Sequence, residues 1–126
     1  MSARILIVDD NPVNLKLATD VLEMEGYAIE KAVDAEQAQE MLKSATPDLI
    51  LMDIALPGMD GLTLARKLKA DERLKRVPVV AMTAFAMKGD EQKALDAGCN
   101  GYITKPIDTR KLPEQVGAFL RRDAGK

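Results

Sequence analysis

Histidine and tryptophan are absent from this 126-residue chain, and cysteine occurs once, at Cys99. Without an imidazole there is no Ser-His or Cys-His nucleophile pair and no histidine-ligated metal. A single thiol makes neither an intramolecular disulfide nor a thiolate cluster. Lying between Gly98 and Gly101, Cys99 reads as a small, half-buried filler. Aromatic residues make up only 3% of the chain, and the net charge is −2, from 18 basic and 20 acidic side chains. That balance gives no electrostatic basis for binding nucleic acid. No apolar run is long enough to span a bilayer, so no membrane insertion is expected. The N-terminal Met-Ser-Ala-Arg enters the first apolar run at once, without a signal-peptide pattern, and a cytoplasmic location is expected. What is present, 47% hydrophobic and 30% charged residues, is the balance of one soluble globular domain over 1–126.

Apolar runs of strand length recur as "RILIVD", "YAIEKAV", "DLILMD", "VPVVAMT" and "GYITK", separated by segments with helical spacing. The first helix is expected to open with Asn11 as cap and Pro12 at its first position, and to end at Gly26. It carries a stripe of Val13, Leu17, Val21 and Met24 beside Leu15, Ala18 and Leu22. The second is expected from near Asp34 to Ala45, the third after an Asp60 cap, and the fourth from Lys88 to Ala97. The fifth is expected from Asp108 to Arg122, with Leu112, Val116, Phe119 and Leu120 inward and Pro113 able to delay its start. Met24, Met41, Met52, Met59, Met82 and Met87 read mostly as core fillers. Five strands alternating with five helices predict an α/β doubly wound parallel sheet of order 2-1-3-4-5, a flavodoxin-like three-layer sandwich. "YAIEKAV", with Glu30 and Lys31, suits an edge strand.

In such a sheet, function sits at the carboxyl ends of the strands. Those ends are Asp9-Asp10, Asp53, Thr83 and Lys105, so three carboxylates, a hydroxyl and an ammonium converge on one rim. Adjacent carboxylates repel and need compensation. A partly hydrated Mg²⁺ supplies it, and a site of that kind suits phosphoryl transfer. With no Ser-His pair, Cys-His pair or nucleotide loop, one of the carboxylates is left as the nucleophile.

These residues carry a family resemblance. The chain resembles a receiver domain of a two-component response regulator through "LIVDDN" at 6–11, "DLILMDIALPGMDG" at 48–61, "PVVAMTAFA" at 78–86 and "GYITKPID" at 101–108. "VVAMTAFAMKGDE" with "KPI" is similar to the single-domain, DivK-like cell-cycle regulators of bacteria. The resemblance implies that Asp53 accepts a phosphoryl group from phosphohistidine on a histidine kinase or histidine phosphotransfer protein. It implies that Asp10, Asp53 and the backbone carbonyl of Ala55 bind Mg²⁺, with Asp9 acting through metal-bound water and Mn²⁺ able to stand in. Lys105 and Thr83 would hold phosphoryl oxygens. Thr83 and Tyr102 would form a switch pair, and a full off-to-on switch requires about 5.5 kcal/mol of differential stabilisation.

The implied docking patch is Asn11, Pro12, Val13, Asn14 and Leu17 with Pro106 and Ile107, and the implied output surface is Met87, Tyr102 and Ile103. Phe85 and Ala55, apolar residues beside the path of attacking water, predict slow hydrolysis of the acyl phosphate. The chain is expected to be no enzyme beyond its own phosphorylation and dephosphorylation. It is expected to be a stand-alone receiver with no output domain, a monomer or weak dimer that signals to a downstream protein. Alternative roles are a phosphate shuttle or sink and a phosphorylation-independent scaffold. A haloacid-dehalogenase-like phosphatase would want a second Asp at position 55, which is Ala, and a flavodoxin-like cofactor binder would want a Ser/Thr/Gly-rich loop in place of "DDNPVN".

Overall fold

The computed structural model describes residues 3–54, 56, 58, 61–83, 90–104 and 107–124, with 90, 91 and 121–124 described as backbone alone. Five strands and five helices alternate: β1 (Arg4–Val8), α1 (Pro12–Met24), β2 (Ala28–Ala32), α2 (Ala35–Leu42), β3 (Leu49–Asp53), α3 (Gly61–Ala70), β4 (Val79–Thr83), α4 (Asp90–Asp96), β5 (Gly101–Thr104) and α5 (Leu112–Ala124). The strands form one parallel sheet in the order β2-β1-β3-β4-β5, as the alternation of strand and helix patterns predicts.

Strand alternation divides the core in two. Leu6, Val8, Ile50, Met52, Val79 and Ala81 point to the side covered by α2, α3 and α4. Ile5, Ile7, Leu49, Leu51, Val80 and Met82 point to the side covered by α1 and α5, where Leu15, Leu22, Leu112 and Val116 meet them. The buried residues of β1, β3 and β4 make near-continuous apolar strands because both faces are covered. β2 lies at the edge, with Lys31 exposed and Glu30 paired to Arg4 at 2.5 Å.

The helix starts follow their caps. The Asn11 side chain accepts from the N–H groups of Val13 (2.9 Å) and Asn14 (3.2 Å), and the Asp34 side chain accepts from Gln37 N–H at 2.7 Å. α5 begins at Leu112, four residues later than the apolar spacing suggests; a turn over 109–111 precedes it and Pro113, which has no N–H to donate, falls in its first turn. Asp60, Met59, Met87 and Lys88 lie outside the described residues, so the expected Asp60 cap and Lys88 start do too.

On α1 the reading that changes is that of Met24 as a core filler. Its inward residues are Leu15, Ala18, Thr19 and Leu22, whereas Val13 is 73% and Met24 87% exposed and Leu17 is also on the surface. At 3.6 residues per turn, positions 13, 17 and 24 stand roughly half a turn from 15 and 22. A helix lying on a sheet buries only one arc, so both apolar rows cannot go inward. Met24 is therefore no core filler, unlike the fully buried Met52 and Met82.

At the amino end of the sheet, Lys69 Nζ donates to the carbonyl of Val77 (2.8 Å) and to Asn100 Oδ1 (2.8 Å), and Asn100 Oδ1 also accepts from Val79 N–H (3.0 Å). This knot joins α3 to the entries of β4 and β5. Cys99 is buried beside it; burial pushes its thiol up to about 11, with the nearby Lys69 ammonium opposing the rise.

Candidate functional site

β1 and β3 are adjacent and parallel, with Val8 level with Met52, so the next residue of each strand, Asp9 and Asp53, emerges at the same edge. Asp10 follows directly. Carboxylate oxygens of Asp9, Asp10 and Asp53 lie within 4.8 Å of one another. Asp9 is 1% and Asp53 6% exposed, while Asp10 is open to solvent. β4 brings Thr83 to the same edge: Asp53 is level with Met82, and Thr83, buried, comes one residue later.

Local structure holds this cluster from two sides. Asp9 N–H donates to the carbonyl of Ala32 at 3.0 Å, which keeps β1 paired through its last residue. Asp9 Oδ1 accepts from Asn11 N–H at 2.9 Å, so the residue that caps α1 also orients the buried carboxylate. α1 thus starts at the acidic cluster, and the positive end of its dipole favours anions there by about 0.3–1 kcal/mol. On the β3 side, Ile54 N–H donates to the carbonyl of Met82 (3.0 Å), and Gly61 N–H donates back to the carbonyl of Ile54 (3.0 Å).

Three clustered carboxylates, one of them exposed, are hard oxygen donors matched to a small divalent cation that keeps some water, and the donor set fits Mg²⁺. Without a cation or proton, mutual repulsion opposes the arrangement.

The remaining expected residues divide. Tyr102 is half-buried against the α2–α3–α4 core. It pairs in register with Ala81, and Thr83 pairs with Thr104, so Thr83 and Tyr102 lie on the same face of adjacent strands. Asn11, Pro12, Val13 and Leu17 are exposed and Asn14 is half-exposed, beside the acidic edge. Ile103 and Ile107, expected on partner surfaces, are instead buried in the α1–α5 core. Ile103 points opposite to Tyr102 by strand alternation, and Ile107 is shut in where the chain turns into α5. Ala55, Phe85, Met87, Lys105 and Pro106 lie outside the described residues. Sequence reasoning passed over Gly61 and the second role of Asn11. The signal for Asn11 was its position two residues after Asp9, the spacing at which a side chain accepts from a backbone N–H two residues on.

The family model of the response regulator receiver domain matches residues 5–117. The polar-differentiation response regulator DivK of Brucella ovis is 42% identical over 120 residues, covering 95% of this chain and 98% of the relative. A CheY-like response regulator receiver domain protein from Methanospirillum hungatei superposes with a TM-score of 0.91 at 31% identity, covering 99% of this chain and 98% of that one. The receiver domain of a sensor histidine kinase from Pseudomonas aeruginosa, solved with a magnesium ion coordinated in its active-site cleft, superposes with a TM-score of 0.88 at 36% identity, covering 96% and 99%. With the motif-bearing strand ends gathered at one edge of a 2-1-3-4-5 sheet, these matches establish that this chain belongs to the response regulator receiver domains, the regulators of phosphorylation-based two-component signalling.

Proposed function

We propose that this receiver accepts a phosphoryl group on Asp53 from phosphohistidine of a histidine kinase or histidine phosphotransfer protein and signals to a protein partner as a single-domain, cytoplasmic regulator. The observation that carries the reading is the meeting of Asp9, Asp10 and Asp53 within 4.8 Å, with Asp53 recessed below the exposed Asp10. A nucleophile recessed to this degree is largely shielded from bulk water, which suits transfer from a docked donor over hydrolysis.

In the transfer, the Asp53 carboxylate oxygen forms the new O–P bond as the histidine N–P bond breaks, and the imidazole nitrogen leaves on the donor protein. Bound Mg²⁺ would neutralise charge on the carboxylates and the transferring oxygens. Asp10, Asp53 and the Ala55 carbonyl would hold it directly and Asp9 through water; Mn²⁺ has the same donor preference. Asp9 is kept in place by the Asn11 amide. Thr83 would donate its hydroxyl to one phosphoryl oxygen and Lys105 its ammonium to another. Movement of Thr83 toward the phosphoryl group would free space on the face it shares with Tyr102, and rotation of Tyr102 would change the surface over α4 and β5. Val13 and Leu17, exposed and apolar beside the acidic edge, suit docking of a helix from the phosphodonor.

Acetyl phosphate tests the chemistry without a partner. The expected result is a Mg²⁺-dependent gain of one phosphate by intact mass, lost in EDTA and in Asp53→Asn. Uptake that persists in Asp53→Asn would overturn the assignment.

A further inference from the structure

We propose that Gly61 is a positioning residue for the phosphoacceptor: the absence of a side chain there lets α3 seat directly against the backbone of Asp53 and Ile54 and so fixes the height of the Asp53 carboxylate. The inference rests on the proposed role of Asp53. A Cβ built at Gly61 meets the Asp53 carbonyl oxygen in a prohibitive overlap, the Ile54 Cα at 2.6 Å and the Asp53 carbonyl carbon at 3.1 Å. All three are backbone atoms, so no rotamer change relieves the contact. Gly61 does not have a positive φ, unlike Gly26, Gly58 and Gly98, so space and not backbone conformation is what the position requires.

The approach is held by the Gly61 N–H to Ile54 carbonyl bond at 3.0 Å, with Ile54 N–H in turn bonded to Met82 on β4. An alanine would have to retreat by about 1 Å to reach a normal contact of about 3.5 Å. Either α3 lifts and breaks that hydrogen bond, or the end of β3 moves and carries Asp53 away from Asp9 and Asp10. Both loosen a constellation whose donors must converge on one small ion.

Gly101 provides the control. It is also buried and also allows no Cβ, but the obstacle is the Phe119 ring, at the amino end of β5 and so at the edge of the sheet opposite Asp53. Gly101→Ala therefore destabilises the fold without touching the acidic cluster.

The experiment measures Mg²⁺ affinity by calorimetry and the acetyl phosphate phosphorylation rate on wild type, Gly61→Ala and Gly101→Ala, with stability followed by urea unfolding. Gly61→Ala is expected to lose about 10- to 100-fold in rate, the scale of a 1 Å misplacement, with a parallel loss of Mg²⁺ affinity. Gly101→Ala is expected to keep both within about twofold while losing stability. Should Gly61→Ala not fold, amide exchange on wild type carries the test, since coupling between sites is reciprocal. Mg²⁺ is then expected to slow exchange of the Gly61 amide several-fold more than that of Tyr102, and equal slowing would overturn the inference. A wild type that takes up no phosphate overturns the proposed function and this inference with it. A wild type that does, beside a Gly61→Ala protein of unaltered affinity and rate, overturns this inference alone.

Discussion

Replacing Asp10 by Asn should stabilise the metal-free protein and remove its response to Mg²⁺. The Asp10 carboxylate lies within 4.8 Å of those of Asp9 and Asp53, both buried. At that separation each like-charge pair costs about 0.9 kcal/mol at the dielectric of water and about 3.5 kcal/mol at an effective value of 20. Asp10 is exposed, which places it near the lower figure, so relieving two pairs contributes about 2 kcal/mol. Loss of an anion near the start of α1 offsets about 0.3–1 kcal/mol of this. The net expectation is a gain of about 1–2 kcal/mol, read as a higher urea midpoint at unchanged slope in EDTA and low salt.

Added salt should shrink the gain, because Asp10 is on the solvent side. Mg²⁺ at 100 times its dissociation constant should stabilise wild type by about 2.7 kcal/mol, and Asp10→Asn much less, so that the order of stability reverses. An Asp10→Asn midpoint equal to or below wild type in EDTA would refute the view that the cluster is electrostatically strained and awaits a cation.

Other perturbations probe separate parts of the account. Val13→Glu with Leu17→Glu should leave urea stability within about 0.5 kcal/mol and acetyl phosphate labelling intact, since both side chains are on the surface, while transfer from a phosphorylated histidine donor protein falls at least tenfold; equal losses with both donors would count against a docking role. Asp34→Ala should lower stability by about 1 kcal/mol through loss of the α2 cap to Gln37 N–H, and Leu22→Ala, fully buried against the sheet, by about 2–5 kcal/mol, both measured by urea unfolding. Cys99 should react with a thiol reagent at pH 8 only as fast as the protein opens. Its folded value near 11 lies above the ordinary 9.0, so the stability it contributes is complete below pH 9 and declines as pH rises toward 11; the Cys99→Ala protein should lose less stability over that window.

The sheet order and both core faces were legible because the strand runs and helix spacings of this chain agree with one another, and the 2-1-3-4-5 order is a favoured way to wind them. The acidic site was legible because parallel strands put every carboxyl end at one edge, so Asp9, Asp53 and Thr83 needed only their strand ends to be placed. Periodicity alone could not say which of two apolar rows on α1 faces the sheet, and Val13, Leu17 and Met24 went outward. Alternation turned Ile103 and Tyr102 to opposite faces, so that Ile103 is shut in the α1–α5 core while Tyr102, its neighbour in sequence, lies half-buried on the face of Thr83. Gly61 stayed hidden because a requirement for empty space appears only when α3 is docked on β3.

The most direct test of the central claim is where the phosphate goes. After reaction with acetyl phosphate and Mg²⁺, borohydride reduces an aspartyl phosphate to homoserine, which peptide sequencing by tandem mass spectrometry locates. Homoserine at position 53 and nowhere else is the predicted result; homoserine at position 9 or 10, with position 53 unmodified, would contradict the account.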